Sequence, residues 1–213
     1  MPQSASAVEW EARMSERRSA ASSDRDEALV ERHLAGDPSA FDQLFRRHQD
    51  YVYNIVYGVV GKPEDARDIT QDVFLQAHRA LPRFRRGARF MTWLYRIAVN
   101  RAVDHVRSAS RRRWLPFDVV MRSMPDPGEG PAQAAEREAD HALVQRVLME
   151  LPVQHREVLA LRYYRDLTVE EIAEVMGCSI DAAKLRLHRA RARFREKFVA
   201  IQRETEAASA PVR

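Results

Sequence analysis

The sequence predicts an all-α protein built as two small helical domains joined by a flexible linker. Apolar residues recur three or four positions apart over long stretches, without the alternation that marks strands. Glycine is scarce, at 7 of 213 residues, while 31% of residues are charged, which favours helices over a turn-rich β fold. Between residues 114 and 134 the periodicity breaks at Pro116, Pro125, Pro127, Gly128, Gly130 and Pro131, the composition of a linker. The expected layout is a flexible tail over 1–25, a first domain over 26–113, a linker over 114–134, a second domain over 135–200 and a short polar tail over 201–213.

The first domain opens with a short helix around Asp26–Ala35, carrying Leu29, Val30 and Leu34. Gly36-Asp37-Pro38 resets the chain, with Asp37 as cap and Pro38 at the first helical position. The next helix runs to about Val60, with Phe41, Leu44, Phe45, Val52, Ile55, Val56 and Val59 on its core face. Gly61 ends it. Pro63 starts a third helix, continuing to about Leu81, whose buried side is Ile69, Val73, Phe74 and Ala77. Its first turns carry Glu64, Asp65, Asp68 and Asp72. Acid at a helix start suits the dipole, but four carboxylates on little more than two turns exceed that need and equally suit a basic protein partner.

From Arg79 to Arg113 the charge inverts: eleven arginines, one acid (Asp104) and no lysine. Leu81–Arg89 reads as a loop, stopped by Pro82 and loosened by Gly87. A long helix over Phe90–Arg112 follows, with Met91, Leu94, Ile97, Ala98, Val103 and Val106 as core. Trp93 and Tyr95 are expected to be buried too. Phe84, an exposed aromatic among arginines, suits single-stranded nucleic acid: bases stack on the ring and guanidinium forks pair with phosphates. Asn100, on the helix side shared with Arg96, offers a donor and an acceptor to a base edge.

The second domain opens with a helix through Met149, and Leu151-Pro152 begins another. At Leu167–Phe198 two helical patterns then meet at a tight break. Thr168 and Glu171 form a capping box. Ile172, Val175 and Met176 give the first helix an apolar face, and Gly177 accepts the left-handed backbone that ends it. Ser179 caps the next helix, with Asp181 in its first turn. There Ala183, Leu187, Ala190, Phe194 and Phe198 form a buried stripe. The rest is almost purely cationic: Lys184, Arg186, His188, Arg189, Arg191, Arg193, Arg195 and Lys197. This is a helix-turn-helix over 168–196, whose second helix is suited to the major groove of DNA. A merely solvated face would mix signs. Leu185, on the exposed side, would meet a thymine methyl.

Single Cys178 excludes an internal disulfide and a cysteine-based zinc site; it reads as a small turn residue. No Gly-rich phosphate loop, metal-ligand spacing or nucleophile–base constellation appears, so no enzyme, cofactor or metal is expected. His78 and His105 read as helix-surface residues. Without a signal peptide or membrane span, a cytoplasmic protein is expected.

Five stretches, AFDQLFRRHQDYVYNIVYGVVG, EDARDITQDVFLQAHRAL, FMTWLYRIAVNRAVDHVR, LPVQHREVLALRYYRDLTVEEIAEVMGCS and KLRLHRARARFREKF, resemble bacterial sigma factors of the extracytoplasmic-function group. They cover nearly everything from residue 26 to 198, in that family's order and spacing. The resemblance implies a promoter-specificity subunit of RNA polymerase. Asp65, Asp68, Gln71 and Asp72, with Phe74 and Leu75, would bind the polymerase β′ clamp helices. Arg83, Phe84, Arg85, Arg86, Arg89, Arg96, Asn100 and Arg107 would capture and help open the −10 element. Ser179, Asp181, Lys184, Leu185, Arg186, His188, Arg189 and Arg193 would read the −35 element, and this domain would also dock on the β-flap. A cognate anti-sigma factor is implied as a further partner. The segment SIDAAKLRLHRAR departs from the family's usual SxGTVKSRLHRAR at Asp181, Ala182, Ala183 and Leu185, which points to an unusual −35 sequence. A plain helix-turn-helix regulator would need an effector or receiver domain in front, and residues 25–113 show no such pattern. A helical adaptor would leave the arginine-only segment unexplained.

Overall fold

The computed structural model describes residues 25–84, 89–112 and 131–209, and every element among them is helical. Helix α1 covers 25–34, α2 Pro38–Val60, α3 Pro63–Ala80 and α4 Phe90–Arg112, with a 3-10 turn at Leu81–Arg83. Helices α5 (Pro131–Met149), α6 (Val153–Arg165), α7 (Val169–Met176) and α8 (Ile180–Ser209) complete the chain. The expectations for the N-terminal tail, for Arg85 and Arg86, and for residues 114–130 and 210–213 lie outside the described residues.

The local stops and starts follow from named residues. Asp37 accepts from the Ser39 N–H at 3.0 Å, and Pro38 occupies the first turn of α2. Gly61 ends α2 at φ +79°, a left-handed conformation that favours glycine. Two helices run past the expected boundaries. α5 already begins at Pro131, inside the expected linker, where proline fits a first turn. The expected tail from 201 is helical to Ser209, with Ile201 buried, because no Gly or Pro interrupts α8.

One continuous core runs through both halves of the chain. Leu44, Ile55, Val73, Leu94 and Tyr95 of the first half join Leu148, Val158, Leu161, Ile172 and Leu187 of the second. The approach is close at Gly58 of α2, where an added Cβ would lie 2.7 Å from the Tyr164 ring and 3.1 Å from Ala160 Cβ. Burial of this apolar surface holds the halves together, at roughly 25 cal/mol per Å² removed from water.

Buried polar groups tie the same interface. The His48 ring and Asp26 are both almost fully buried, and His48 Nε2 donates to the Asp26 carboxylate at 2.8 Å. His48 Nδ1 lies 3.3 Å from the Tyr95 hydroxyl, which accepts from Arg165 Nε of α6 at 2.9 Å. Arg165 also lies over the Tyr51 ring, 4.1 Å from its centre. Burial pushes the Tyr95 hydroxyl pKa up, so it stays protonated and available as a donor. Gln145 donates to the Tyr57 carbonyl at 2.8 Å and Arg156 to the Val59 carbonyl at 3.1 Å, satisfying the last turn of α2 from the second half.

Candidate nucleic-acid interface

The helix-turn-helix is built by its caps. Thr168 Oγ1 accepts from the Glu171 N–H at 3.2 Å, and Glu171 Oε2 accepts from the Thr168 N–H at 2.9 Å. Gly177 turns the chain at φ +63°. Ser179 Oγ accepts from the Ala182 N–H at 3.2 Å and starts α8. Ala183, Leu187 and Ala190 are buried and fix the rotation of α8. That rotation leaves Ser179, Asp181, Lys184, Leu185, His188, Arg189 and Arg193 exposed on one side. Leu185 is 49% exposed, a large apolar side chain in the middle of a cationic face.

Arg186 behaves differently from the outward cations with which it was grouped. It lies beside Ala183, Leu187 and Ala190 on the flank of the buried stripe and is half-buried. Its Nη1 lies 3.6 Å from Glu157 Oε1 on α6. Burial raises the Glu157 pKa, and the Arg186 charge works against that rise. Arg193 is paired with Glu196 at 2.8 Å in an exposed contact of the kind worth about 0–1 kcal/mol.

The arginine surface of the first half is partly engaged within the molecule. Arg89 Nη1 donates to Glu171 Oε1 at 3.0 Å, using the carboxylate oxygen that the capping box leaves free. Arg96 donates to the carbonyls of Glu174 and Val175, the latter at 3.3 Å. α7 is thus held at both ends by arginines from the other half. The match is geometric: seven residues of α4 and its approach span about 10 Å at 1.5 Å per residue, close to the length of the eight-residue α7. A cation at the carboxyl end of a helix also meets its unsatisfied carbonyls and the negative pole of its dipole. Asn100 and Arg107 are exposed on the same helix.

Phe84 is not the exposed ring expected. It is half-buried, 5.2 Å from the Trp93 ring centre and 6.1 Å from Phe90. The short 3-10 turn folds it back onto α4, so its edge joins an aromatic cluster while part of the ring stays accessible.

On α3, Asp68, Gln71, Asp72 and Leu75 are exposed, Leu75 by 55%. Asp65 is half-buried and meets His105 Nε2 at 3.1 Å, so His105 is more than the surface residue expected. Phe74 lies in the core, 4.8 Å from Phe45 edge to face, and supports the acidic face from behind. Sequence reasoning did not single out Arg165, nor Arg79 and Arg101. The last two belong to the arginine-only segment, but nothing in their spacing marks them.

The model of Sigma-70 region 2 matches residues 44–112, and that of Sigma-70 region 4 matches residues 141–194. The chain is 32% identical over 192 residues to the RNA polymerase sigma-H factor of Pseudomonas aeruginosa, covering 85% of this chain and 97% of that one. It is 35% identical over 173 residues to the ECF RNA polymerase sigma-E factor of Escherichia coli, covering 78% and 90%. Among solved structures it resembles CnrH in complex with the cytosolic domain of CnrY, at 28% identity and a TM-score of 0.64, covering 83% of this chain and 98% of that one. The two matched regions, in the order and on the helices described above, make this chain a member of the sigma-70 family of RNA polymerase sigma factors, in its extracytoplasmic-function group.

Proposed function

We propose that the chain alternates between a closed form, in which α7 engages the −10 arginines, and an open form bound to core polymerase and promoter DNA. The observation that carries this is the double engagement of α7 by Arg89 and Arg96. Arg96 donates to α7 through Nε and Nη2 and Arg89 through Nη1, and a nitrogen so engaged does not bond a DNA phosphate, so full engagement of the −10 strand requires the halves to part. In the open form, Asp68, Gln71, Asp72 and Leu75 dock on the β′ clamp helices, with Asp65 released from His105 to join them. Arg83, Phe84, Arg85, Arg86, Arg89, Arg96, Asn100 and Arg107 bind the −10 strand. Flipping a base there costs a few kcal/mol, which the arginine–phosphate contacts offset. The exposed side of α8 reads the −35 element, and the second domain docks on the β-flap.

A protein inhibitor that spans both halves would hold the closed form. Such a partner is supported by the likeness to CnrH, a protein solved with the cytosolic domain of CnrY bound. The chain has no catalytic role in this scheme, and it works in the cytoplasm. No helix among the described residues is long and apolar enough to cross a membrane.

The test is transcription in vitro with sigma-free bacterial core polymerase on genomic DNA, sequencing the transcript starts. Defined starts sharing two motifs at a fixed spacing are expected. Absence of starts, with sequence-specific duplex binding by the free protein, would replace this reading by that of a plain regulator.

A further inference from the structure

A cleft of about 330 Å³ lies between the carboxyl-terminal half of α3, the 3-10 turn and the middle of α4. Asp72, Leu75 and Gln76 line it together with Arg79, Arg83 and Arg101. Three guanidiniums face one carboxylate there, so the cleft is net cationic. Among the described residues, none of the three arginines has a carboxylate partner. Three like charges gathered around one carboxylate leave an excess of positive charge, and an arriving anion is attracted to it.

One of the three is already oriented. Arg101 Nε donates to Gln76 Oε1 at 2.8 Å, which leaves the two terminal nitrogens as a free, fixed fork. A planar fork matches two oxygens of a phosphate, and orientation before binding reduces the entropy lost on binding. Arg83 connects the cleft directly to Phe84, the aromatic ring proposed to receive an unstacked base.

We propose that this cleft is a phosphate-binding site for the backbone of the opened promoter strand, with Arg79 and Arg101 as DNA-contacting residues beyond the −10 set named above. The assignment rests on reading the first domain as the −10 half. It extends the nucleic-acid track from the Phe84 platform toward the acidic face of α3, where Asp72 marks the border with the polymerase-docking surface. Gln76 is a positioning residue that acts through Arg101.

The test uses the full-length chain and a fluorescently labelled oligothymidylate, with binding followed by anisotropy across a salt series. Each phosphate contact contributes about 0.7 to the slope of log affinity against log salt for a single strand. Arg79→Gln with Arg101→Gln is expected to lower that slope by about 1.4. Both side chains are exposed, so the fold is not at stake. Arg101→Lys is expected to keep the slope and weaken binding several-fold, because charge survives and the fork does not. An unchanged slope in the double variant would overturn the site. Phe84→Ala, measured alongside, separates the two readings. Weakening by Phe84→Ala alone leaves the −10 reading standing and removes the cleft, whereas no effect from either variant removes both. If thymidine monophosphate or inorganic phosphate binds with arginine dependence while the strand does not, the ligand is a free phosphate compound and the assignment to DNA fails.

Discussion

The two cationic surfaces of this chain are alike in composition and opposite in disposition. On α8, Lys184, His188, Arg189 and Arg193 point to solvent, whereas Arg186 is drawn inward to Glu157 and Arg191 Nε donates to the exposed Tyr163 hydroxyl of α6 at 3.0 Å. On the first half, Arg89 and Arg96 are bonded to α7, so the helix-turn-helix covers part of the proposed −10 surface with its own first helix. The comparison teaches that a guanidinium's availability depends on what packs beside it. On the proposed reading, duplex recognition is available in the closed form, whereas strand capture requires opening.

The change expected to alter this contrast most is Gly58→Leu. A Cβ alone would lie 2.7 Å from the Tyr164 ring, and the longer side chain cannot be accommodated while α6 lies on α2. Overpacking of this kind costs about 1–3 kcal/mol. The expected outcome is a larger radius of gyration by small-angle scattering, with helical content retained and strand binding improved. An unchanged radius would show that the halves adjust around the new side chain and that Gly58 does not control closure.

Arg96→Ala acts on both sides of the comparison. It removes the bonds to the Glu174 and Val175 carbonyls, worth about 1 kcal/mol at this exposed position, and it also removes a proposed −10 contact. Faster proteolysis between the halves is expected together with weaker strand binding. Weaker strand binding with unaltered proteolysis would separate the DNA role from the latch. Arg189→Ala is the complementary case: it should weaken duplex binding, lower the salt slope by about 0.9, and leave closure untouched. A change in proteolysis there would mean that α8 also contributes to the latch.

Much of this was legible in the sequence, where a single residue determines a single local event. Asp37 and Pro38 start α2, Thr168 with Glu171 caps α7, and Gly61 and Gly177 end their helices. The buried stripe of α8 follows from its spacing. The less legible features involve two surfaces meeting. Gly58 reads as an ordinary helical glycine until α6 is placed against it. Glu171 reads as a capping residue, and only the fold reveals that its second oxygen serves Arg89. Phe84 reads as exposed because its neighbours are arginines, yet a three-residue 3-10 turn brings it onto Trp93 and Phe90. Tertiary contact overrides local pattern in each instance.

The smallest expected effect sharpens the picture of the duplex-reading side. His155 of α6 has its pKa lowered from 6.5, first by burial and then by the charges of Arg193, Arg186 and Arg189. Glu157, two residues along, faces the same region, and burial raises its pKa from 4.5. The neutral imidazole therefore contributes stability that is present above the unfolded value near 6.5 and lost as pH falls through the lower folded value. Glu157 works in the opposite sense, contributing stability below 4.5 that is lost as pH rises through its raised value. DNA phosphates at Arg189 and Arg193 would offset the charges that depress His155 and raise its pKa in the complex. Proton uptake then accompanies binding, so duplex affinity should increase modestly as pH falls below the ordinary histidine value near 6.5, between the free and complexed pKa values. His155→Gln should flatten that increase and also reduce the loss of melting temperature on acidification. Equal pH profiles for the variant and the natural chain would place the imidazole outside the field of the bound phosphates, and α6 would then serve only as support for the reading helix.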